Sequence, residues 1–517
     1  MLRLATVIAV LAVIGAFLFS KFTAQDDRFL FQTIHGKNNT VLFVTDEHPG
    51  FCNVHLATLY SLLENHPEIK IHYASFSKTG RRLKQISSLA AERGSRAQDV
   101  KFHLLSGLGY AATLEKVMGK QQDLAHRPGL AAADFLSRSF RYFLAPWPVE
   151  EYWMLYESLS QLIDEVDPAV IVIDTFFSPG IDAARNKRRL HALVTPNILS
   201  DLMPAGQPAW TLLWKYPALG SGIPYPVPWR LIPANIYMNI RIIRGMTNLP
   251  DISAKRKSLE KKGIKRPIDF MGLYRPDVPW LTQTLPGVHL PLVNIPRNVT
   301  LTGPINLAGL EEKTAAAQEL LDWVKKPTVL ISFGSGFKFL EHQTRIVLAA
   351  IQNVLRETNV QVLWRMDKLE PFDDQFLKTA VRESSDRLRV EKWLEVGPPT
   401  LLQNGHIVAF VHHGGAGCFH DSIEGGVPQV ILPQWADLYD FAQLAESLDI
   451  GMWACRETSP DWTAECIERA LLHVTKDSVA SVSMAKKAAS IGSRARKSVG
   501  RDIAAREIAV LAASGHS

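Results

Sequence analysis

Cysteine is scarce in this chain: 4 of 517 residues, Cys52, Cys418, Cys455 and Cys466, with no C-x-x-C or other metal-ligand spacing. That excludes a zinc finger and a small disulfide-built secreted scaffold. An excess of one charge is also missing, since 57 Lys and Arg against 51 Asp and Glu leave only +6. With no basic, aromatic-interleaved recognition motif either, a nucleic-acid partner is excluded. No short-period repeat occurs, and beyond the leader no low-complexity tract. No free-standing Asp-x-Asp follows a strand, which argues against a metal-dependent sugar-nucleotide fold. What remains, 47% apolar and 21% charged residues, describes a folded globular protein long enough for two large domains or three smaller ones.

The one long apolar run lies at the start. Arg3 precedes sixteen uncharged residues, Leu4 to Phe19, and Lys21 closes them. This is short for a bilayer span and suits a signal h-region; Ala24 is a possible cleavage point. Residues 1–24 are therefore expected to be a signal peptide or signal anchor that attaches the protein to a membrane. Two sequons, Asn38-Asn39-Thr40 and Asn298-Val299-Thr300, fit an endoplasmic-reticulum protein with its body in the lumen.

Behind the leader, strands are expected at 40–45, 70–75 and 168–174, and a helix over 54–63. A second series of strands follows at 327–333, 360–364, 407–411 and 430–432. Continuous Val/Ile/Leu runs separated by helical patterns indicate parallel sheets covered on both faces. The fold class is α/β, two facing Rossmann-like doubly wound domains at 38–300 and 327–480. Residues 301–326 would link them around Thr302-Gly303-Pro304, and a helical segment at 481–517 would pack back on the first domain. Within the first domain, 203–266 reads as an insertion. Its first part, Met203 to Met246, is Trp/Pro-rich, with seven prolines between Pro204 and Pro233, and reads as irregular loops and short helices. Its second, 255–266, carries seven basic residues and one acid, for a solvated face or for anionic headgroups.

The chemistry concentrates in Phe410-Val-His-His-Gly-Gly-Ala-Gly-Cys-Phe-His-Asp421, where a buried strand turns through glycines into a helix. Glycines let backbone amides approach a ligand, and a helix N-terminus favours phosphate. Pro433-Gln-Trp-Ala-Asp437 ends the next strand, on the edge where doubly wound sheets bind ligands.

The stretch from Trp393 to Gly451 resembles the donor-binding signature of the family 1 UDP-dependent glycosyltransferases in its fungal form. Val411-His-His-Gly-Gly-Ala416 and Pro433-Gln-Trp-Ala-Asp-Leu-Tyr-Asp-Phe-Ala442 are its most specific parts, and Ser332-Phe-Gly-Ser335, Trp364-Arg365 and Thr302-Gly-Pro304 extend it. The resemblance implies the two-domain GT-B architecture and metal-free, inverting transfer. UDP-sugar is then a co-substrate and no cofactor is needed. It further implies that Trp393 flanks the uracil, and that Ser335 and His413 with Gly414 and Gly415 hold the diphosphate. Asp421 stands for a ribose-binding glutamate, and Asp437 for the acid that contacts sugar hydroxyls. The glutamine usually following that acid is Leu438, and Gly417 stands where Asn or Ser is common, so UDP-glucose is only the default donor.

By the same resemblance, Asp174 matches the aspartate that orients a catalytic histidine. The histidine's own position, in a Gly-His-x-x-Pro-like turn, is Phe51. His48 and His55 flank it, and His48, in the strand-to-helix turn, is assigned as the base. Gly107-Leu-Gly-Tyr-Ala-Ala112 lacks the acidic residue of a dinucleotide fingerprint and reads as an acceptor-side loop. The expected activity is transfer of a sugar from UDP-sugar to a hydroxyl of an apolar acceptor, such as a lipid, sterol, terpenoid or polyketide. Two alternatives stay open: a silent sugar-nucleotide-binding membrane protein or subunit, and a non-transferring sugar-nucleotide enzyme such as an epimerase.

Overall fold

The computed structural model describes residues 33–199, 206–269 and 277–516. The leader therefore lies outside the described residues, as does the start of the Trp/Pro-rich stretch. Two parallel sheets organise the rest. The first contains β1 (Lys37–Val44), β2 (Lys70–Ser75), β3 (Lys101–Leu104), β4 (Pro168–Asp174), β5 (His191–Thr195), β6 (Trp280–Thr282) and β7 (Val299–Leu301), in the order β3-β2-β1-β4-β5-β6-β7. The second contains β8 (Thr328–Ile331), β9 (Gln361–Arg365), β10 (Leu388–Glu391), β11 (Ile407–His412), β12 (Gln429–Ile431) and β13 (Gly451–Trp453), ordered β10-β9-β8-β11-β12-β13. Both orders reverse beside their first strand, between β1 and β4 and between β8 and β11. Those reversals open the crevices in which doubly wound sheets bind ligands.

The seven expected strands form within about three residues of their expected ends. The six others were not legible. β6, β7 and β13 are three residues long, β3 is an edge strand opening on Lys101, and β10 alternates charged residues with apolar ones. These five lack the continuous apolar run that identifies a strand buried on both faces, and in β5 that run is only Ala192-Leu-Val194, set between His191 and Thr195.

The insertion is more regular than its prolines suggest. Ile232–Thr247 is a sixteen-residue helix with a proline in its first turn, where the missing N–H costs nothing. Asn235 and Asn239, one turn apart and buried, donate to the carbonyls of Leu213, Tyr216 and Leu212, tying the preceding loop to this helix. The basic run is partly turned inward. Lys255 donates to the carbonyls of Ala145 and Trp147 at 2.7 and 2.6 Å, Arg256 to those of Pro267 and Ile268, and Lys262 pairs with Glu150. Those three cations are bonded within the domain, while Lys257, Lys261, Lys265 and Arg266 are exposed, as a solvated face requires.

The chain ends by returning to its beginning. Helix Val479–Lys497 packs on Ala416–Gly425 in the second domain, and helix Gly500–Ala512 then packs on β1, β4 and the Pro49–Asn65 helix of the first. Ala504, Ala505, Ile508 and Ala512 are fully buried there with Leu56 and Tyr60. A separate apolar cluster joins Ile198, Leu285 and Val288 of the first domain to Phe419, Tyr439 and Phe441 of the second. Cys455 and Cys466 form a disulfide, and Cys52 and Cys418 are free. Among the described residues no helix is long and apolar enough to cross a membrane.

Candidate functional site

Both order reversals face one cleft of about 1960 Å³ between the domains. Phe51, Tyr110, Phe135, Phe140, Phe143 and Phe176 line it on one side; Ser335, Trp393, Trp435 and Asp437 line it on the other.

On the second-domain side, the chain leaves β8 and β11 through glycines with positive φ, Gly334 at +73° and Gly414 at +94°. Between them sits the His413 imidazole. A Cβ on Gly334 would come 2.9 Å from its Cε1, and one on Gly415 2.5 Å from its Nε2, so both glycines are required for the ring to fit. Burial pushes His413 down to about 4, keeping it neutral, and its buried Nδ1 has no partner. Helix Ala416–Gly425 starts beside it with Gly415 as N-cap and no side-chain cap, leaving its first amides for a ligand. Ser335, exposed at the end of the β8 loop, faces the same cleft. Ser335 follows Gly334 directly, so the loop after β8 and the turn after β11 meet at the His413 ring.

The remaining donor candidates are placed less simply. Trp393 is 63% exposed, and the Arg365 guanidinium covers its ring at 4.8 Å. Asp421 accepts from Asn306 Nδ2 at 3.1 Å, an amide it shares with the buried Glu424; burial and that second carboxylate push Asp421 up to about 8. Asp437 lines the cleft with its carboxyl raised to about 6 by burial. Leu438, by contrast, is buried, and its backbone lies against Gly414, where a Cβ would be 3.0 Å from the Leu438 carbonyl oxygen. Its side chain is therefore packing, with no part in the cleft. Among the described residues no group of three or more His, Cys, Asp or Glu could hold a metal ion.

At the first-domain end, His48 caps the Pro49–Asn65 helix, its Nδ1 accepting the Gly50 amide at 3.1 Å. Asp46 fixes it from below, accepting the His48 amide at 2.8 Å. The Asp46 carboxyl, raised by burial to about 6, also lies against the first amides of helix Tyr110–Met118, where only a glycine at 109 leaves it room. Asp174 is fully buried and raised to about 7, mainly by burial. Its Oδ1 accepts the Phe176 amide at 2.8 Å, and its Oδ2 has no partner. The expected hydrogen bond from Asp174 to a histidine is not made, which corrects that role. What Asp174 orders is Phe176, whose ring packs on Phe51 at 5.8 Å. Phe51 also meets Tyr110 at 5.4 Å, so the residue in the histidine's place belongs to an aromatic wall. His55 is completely buried beside Phe43, with neither ring nitrogen bonded, and burial lowers it to about 3.

Sequence reasoning missed Asp46 and His126, and gave no role to Arg365 and Asp440, which it quoted only within motifs. Asp46, two positions past β1, was available as a carboxylate at a strand's carboxyl end. His126 carried no local signal, and the contact of Asp440 could not be read from its motif, because their partners lie over three hundred and two hundred residues away in sequence.

Two Rossmann-like domains enclosing such a cleft define the class, a GT-B glycosyltransferase. Residues 371–497 match the model of the erythromycin biosynthesis protein CIII-like C-terminal domain. The glycosyltransferase sdnJ of Sordaria araneosa is 34% identical over 442 residues, covering 82% of this chain and 85% of that one. Among solved structures, a UDP-glucosyltransferase from Polygonum tinctorium that glucosylates indoxyl aligns with a TM-score of 0.59 at 16% identity, covering 92% of this chain and 99% of that one. A UDP-glucose:anthocyanidin 3-O-glucosyltransferase in complex with UDP gives 0.59 at 14%, covering 93% and 100%. The chain belongs to the family 1 UDP-glycosyltransferases, and it is an enzyme that transfers sugar from a UDP-sugar.

Proposed function

We propose that this enzyme transfers a hexose, by default from UDP-glucose, with inversion and without a metal, to the hydroxyl of an apolar acceptor such as a lipid, sterol, terpenoid or polyketide. The observation that carries this reading is the cleft. Its first-domain wall is built of Phe51, Phe135, Phe140, Phe143, Leu144 and Phe176, a lining that suits a large apolar ligand. In this reading the diphosphate rests on the first amides of Ala416–Gly425, His413 and Ser335, where fixed donors meet the charge that develops on the leaving group. Trp393 takes the uracil once Arg365 moves aside, Asp421 the ribose, and Asp437 the sugar hydroxyls.

His48 is the proton acceptor in this reading. Because Gly50 donates to its Nδ1, the resting neutral ring carries its proton on Nε2. Freeing Nε2 as a base costs that hydrogen bond, about 1 kcal/mol. A positioned base contributes roughly 10²–10⁴ in rate, or about 3–5 kcal/mol, so the exchange is affordable in energy.

In the same proposal the body lies in the lumen of the endoplasmic reticulum, attached through residues 1–24; the Cys455–Cys466 disulfide supports an oxidising compartment. The test of function is an acceptor-by-donor screen that measures UDP release and added hexose, deoxyhexose or pentose mass. A chain that binds UDP-sugar yet releases UDP with no acceptor in the panel would contradict the transfer reading.

A further inference from the structure

The loop that bears Asp437 is held by the opposite domain. His126 makes three bonds to it: its amide donates to the Gln434 carbonyl at 3.0 Å, its ring Nε2 accepts the Ala436 amide at 3.1 Å, and its carbonyl accepts the Tyr439 hydroxyl. The ring's other nitrogen, Nδ1, lies 3.0 Å from the Arg127 carbonyl. An amide donor on Nε2 and a carbonyl acceptor at Nδ1 permit one state, the neutral ring with its proton on Nδ1. Phe135 packs against this ring at 4.5 Å and Tyr439 at 5.9 Å.

Ala436, whose amide the ring holds, has φ +40°. A non-glycine residue persists in such a conformation only where its surroundings over-determine it. His126 supplies one constraint at that amide. Gly220, also from the first domain, supplies another: its amide donates to Asp440 Oδ2 at 2.8 Å, and a Cβ on it would be 3.2 Å from the Ala436 carbonyl. Asp437 lies between these two fastenings and faces the cleft.

We propose that His126 is a positioning residue for donor-sugar selection, fixing the Ala436 backbone from across the cleft so that the next side chain, Asp437, is aimed at the hydroxyls of the transferred sugar. This rests on the sugar-contact reading of Asp437. A bond that only fastened the domains together would weaken every ligand of the cleft alike. A bond that aims one carboxylate affects ligands that carry the sugar and spares those that do not.

The test is calorimetric binding of UDP, UDP-glucose and UDP-galactose to the full chain and to His126→Ala, His126→Gln and Asp437→Ala. His126→Ala should weaken the better-bound UDP-sugar about tenfold relative to UDP, with UDP itself within twofold of wild type. His126→Gln, whose amide oxygen can stand where Nε2 stood, should restore most of the difference. The double variant His126→Ala/Asp437→Ala should discriminate no worse than Asp437→Ala alone, as coupled neighbours do. An unchanged ratio of UDP-sugar to UDP affinity in His126→Ala, while Asp437→Ala alters it, would overturn the positioning role and leave the sugar contact standing. An unchanged ratio in Asp437→Ala would overturn both. Equal weakening of UDP and UDP-sugar by His126→Ala would make His126 a fastener of the domains and overturn the proposal.

Discussion

The amide of Gly50 donates to Nδ1 of His48 across 3.1 Å, so the resting neutral ring carries its proton on Nε2. Nε2 can take the proton of an acceptor hydroxyl only when the ring shifts its own proton to Nδ1 and gives up the Gly50 bond. Burial and the nearby Lys78 ammonium both lower the ring's pKa, which keeps it neutral and able to take a proton. His48→Ala should lower turnover by roughly 10²–10⁴ while UDP-sugar binding stays intact. Near-normal turnover in that variant would assign the base elsewhere.

For the diphosphate end, His413→Ala should weaken UDP about tenfold or more, the effect of losing one hydrogen bond to a charged group. Gly415→Ala should act in the same direction without touching the imidazole chemically, since its new methyl would meet Nε2 at 2.5 Å and displace the ring. Calorimetry with UDP alone reads both. Wild-type affinity in both variants would remove His413 from the donor site.

Asp437→Ala should behave differently again, reducing turnover of UDP-sugar while UDP binds nearly as before. Equal loss for UDP and UDP-sugar would contradict the sugar contact.

Asp174 makes stability depend on pH. Its carboxyl stands at about 7 when folded against a usual 3.8, so the folded state favours the protonated form. The stability this contributes is fully present below about 3.8 and is lost as pH rises through 7. Asp174→Asn keeps an oxygen for the Phe176 amide and cannot ionise. Between pH 4 and pH 7.5 the wild type should therefore lose stability, read as Tm, faster than the variant, by at most about 4 kcal/mol, and above pH 8 the two curves should run parallel. Asp421 and Asp440, raised in both proteins, cancel; Asp46, whose charge raises Asp174, does not, and its response is part of the difference read. Parallel Tm curves between pH 4 and pH 7.5 would show that Asp174 does not titrate in this range.

The two sequons should not be equivalent. Asn38 is exposed at the start of β1, whereas the Asn298 side-chain nitrogen donates to the Val278 carbonyl at 2.6 Å in a partly buried setting. A glycan on Asn298 would replace that bond. Natively expressed protein should lose one glycan on glycosidase treatment, and none in Asn38→Gln. No mobility change in the wild type would speak against a lumenal body.

Much of this architecture was legible because parallel strands buried on both faces read as unbroken apolar runs: Pro168-Ala-Val-Ile-Val-Ile-Asp174 is β4 to the residue. The His413 turn was legible for a related reason, since an imidazole wedged between two backbone turns demands glycines on either side. The catalytic end was not. Phe51, His48 and Asp174 lie in order along the chain, but whether a carboxylate reaches an imidazole is decided by side-chain direction, and here Asp174 turned to a backbone amide. His126 was invisible, for a histidine in a loop between helices shows nothing of a partner in the other domain. The Ile232–Thr247 helix was obscured by the prolines crowded before it, although a proline in the first turn is no obstacle to a helix.

The return of the Gly500–Ala512 helix to the first domain has a consequence for synthesis on the ribosome. The first domain's hydrophobic face around Leu56 and Tyr60 waits, through some four hundred intervening residues, for Ala504, Ala505, Ile508 and Ala512 to emerge. The second domain, whose sheet closes at β13, has most of its parts before that helix. Loss of the residues past Lys497 would leave the second sheet encoded and strip the cover from the first domain, so a lesion in the codons for Gly500–Ala512 would be felt first in the domain made long before them.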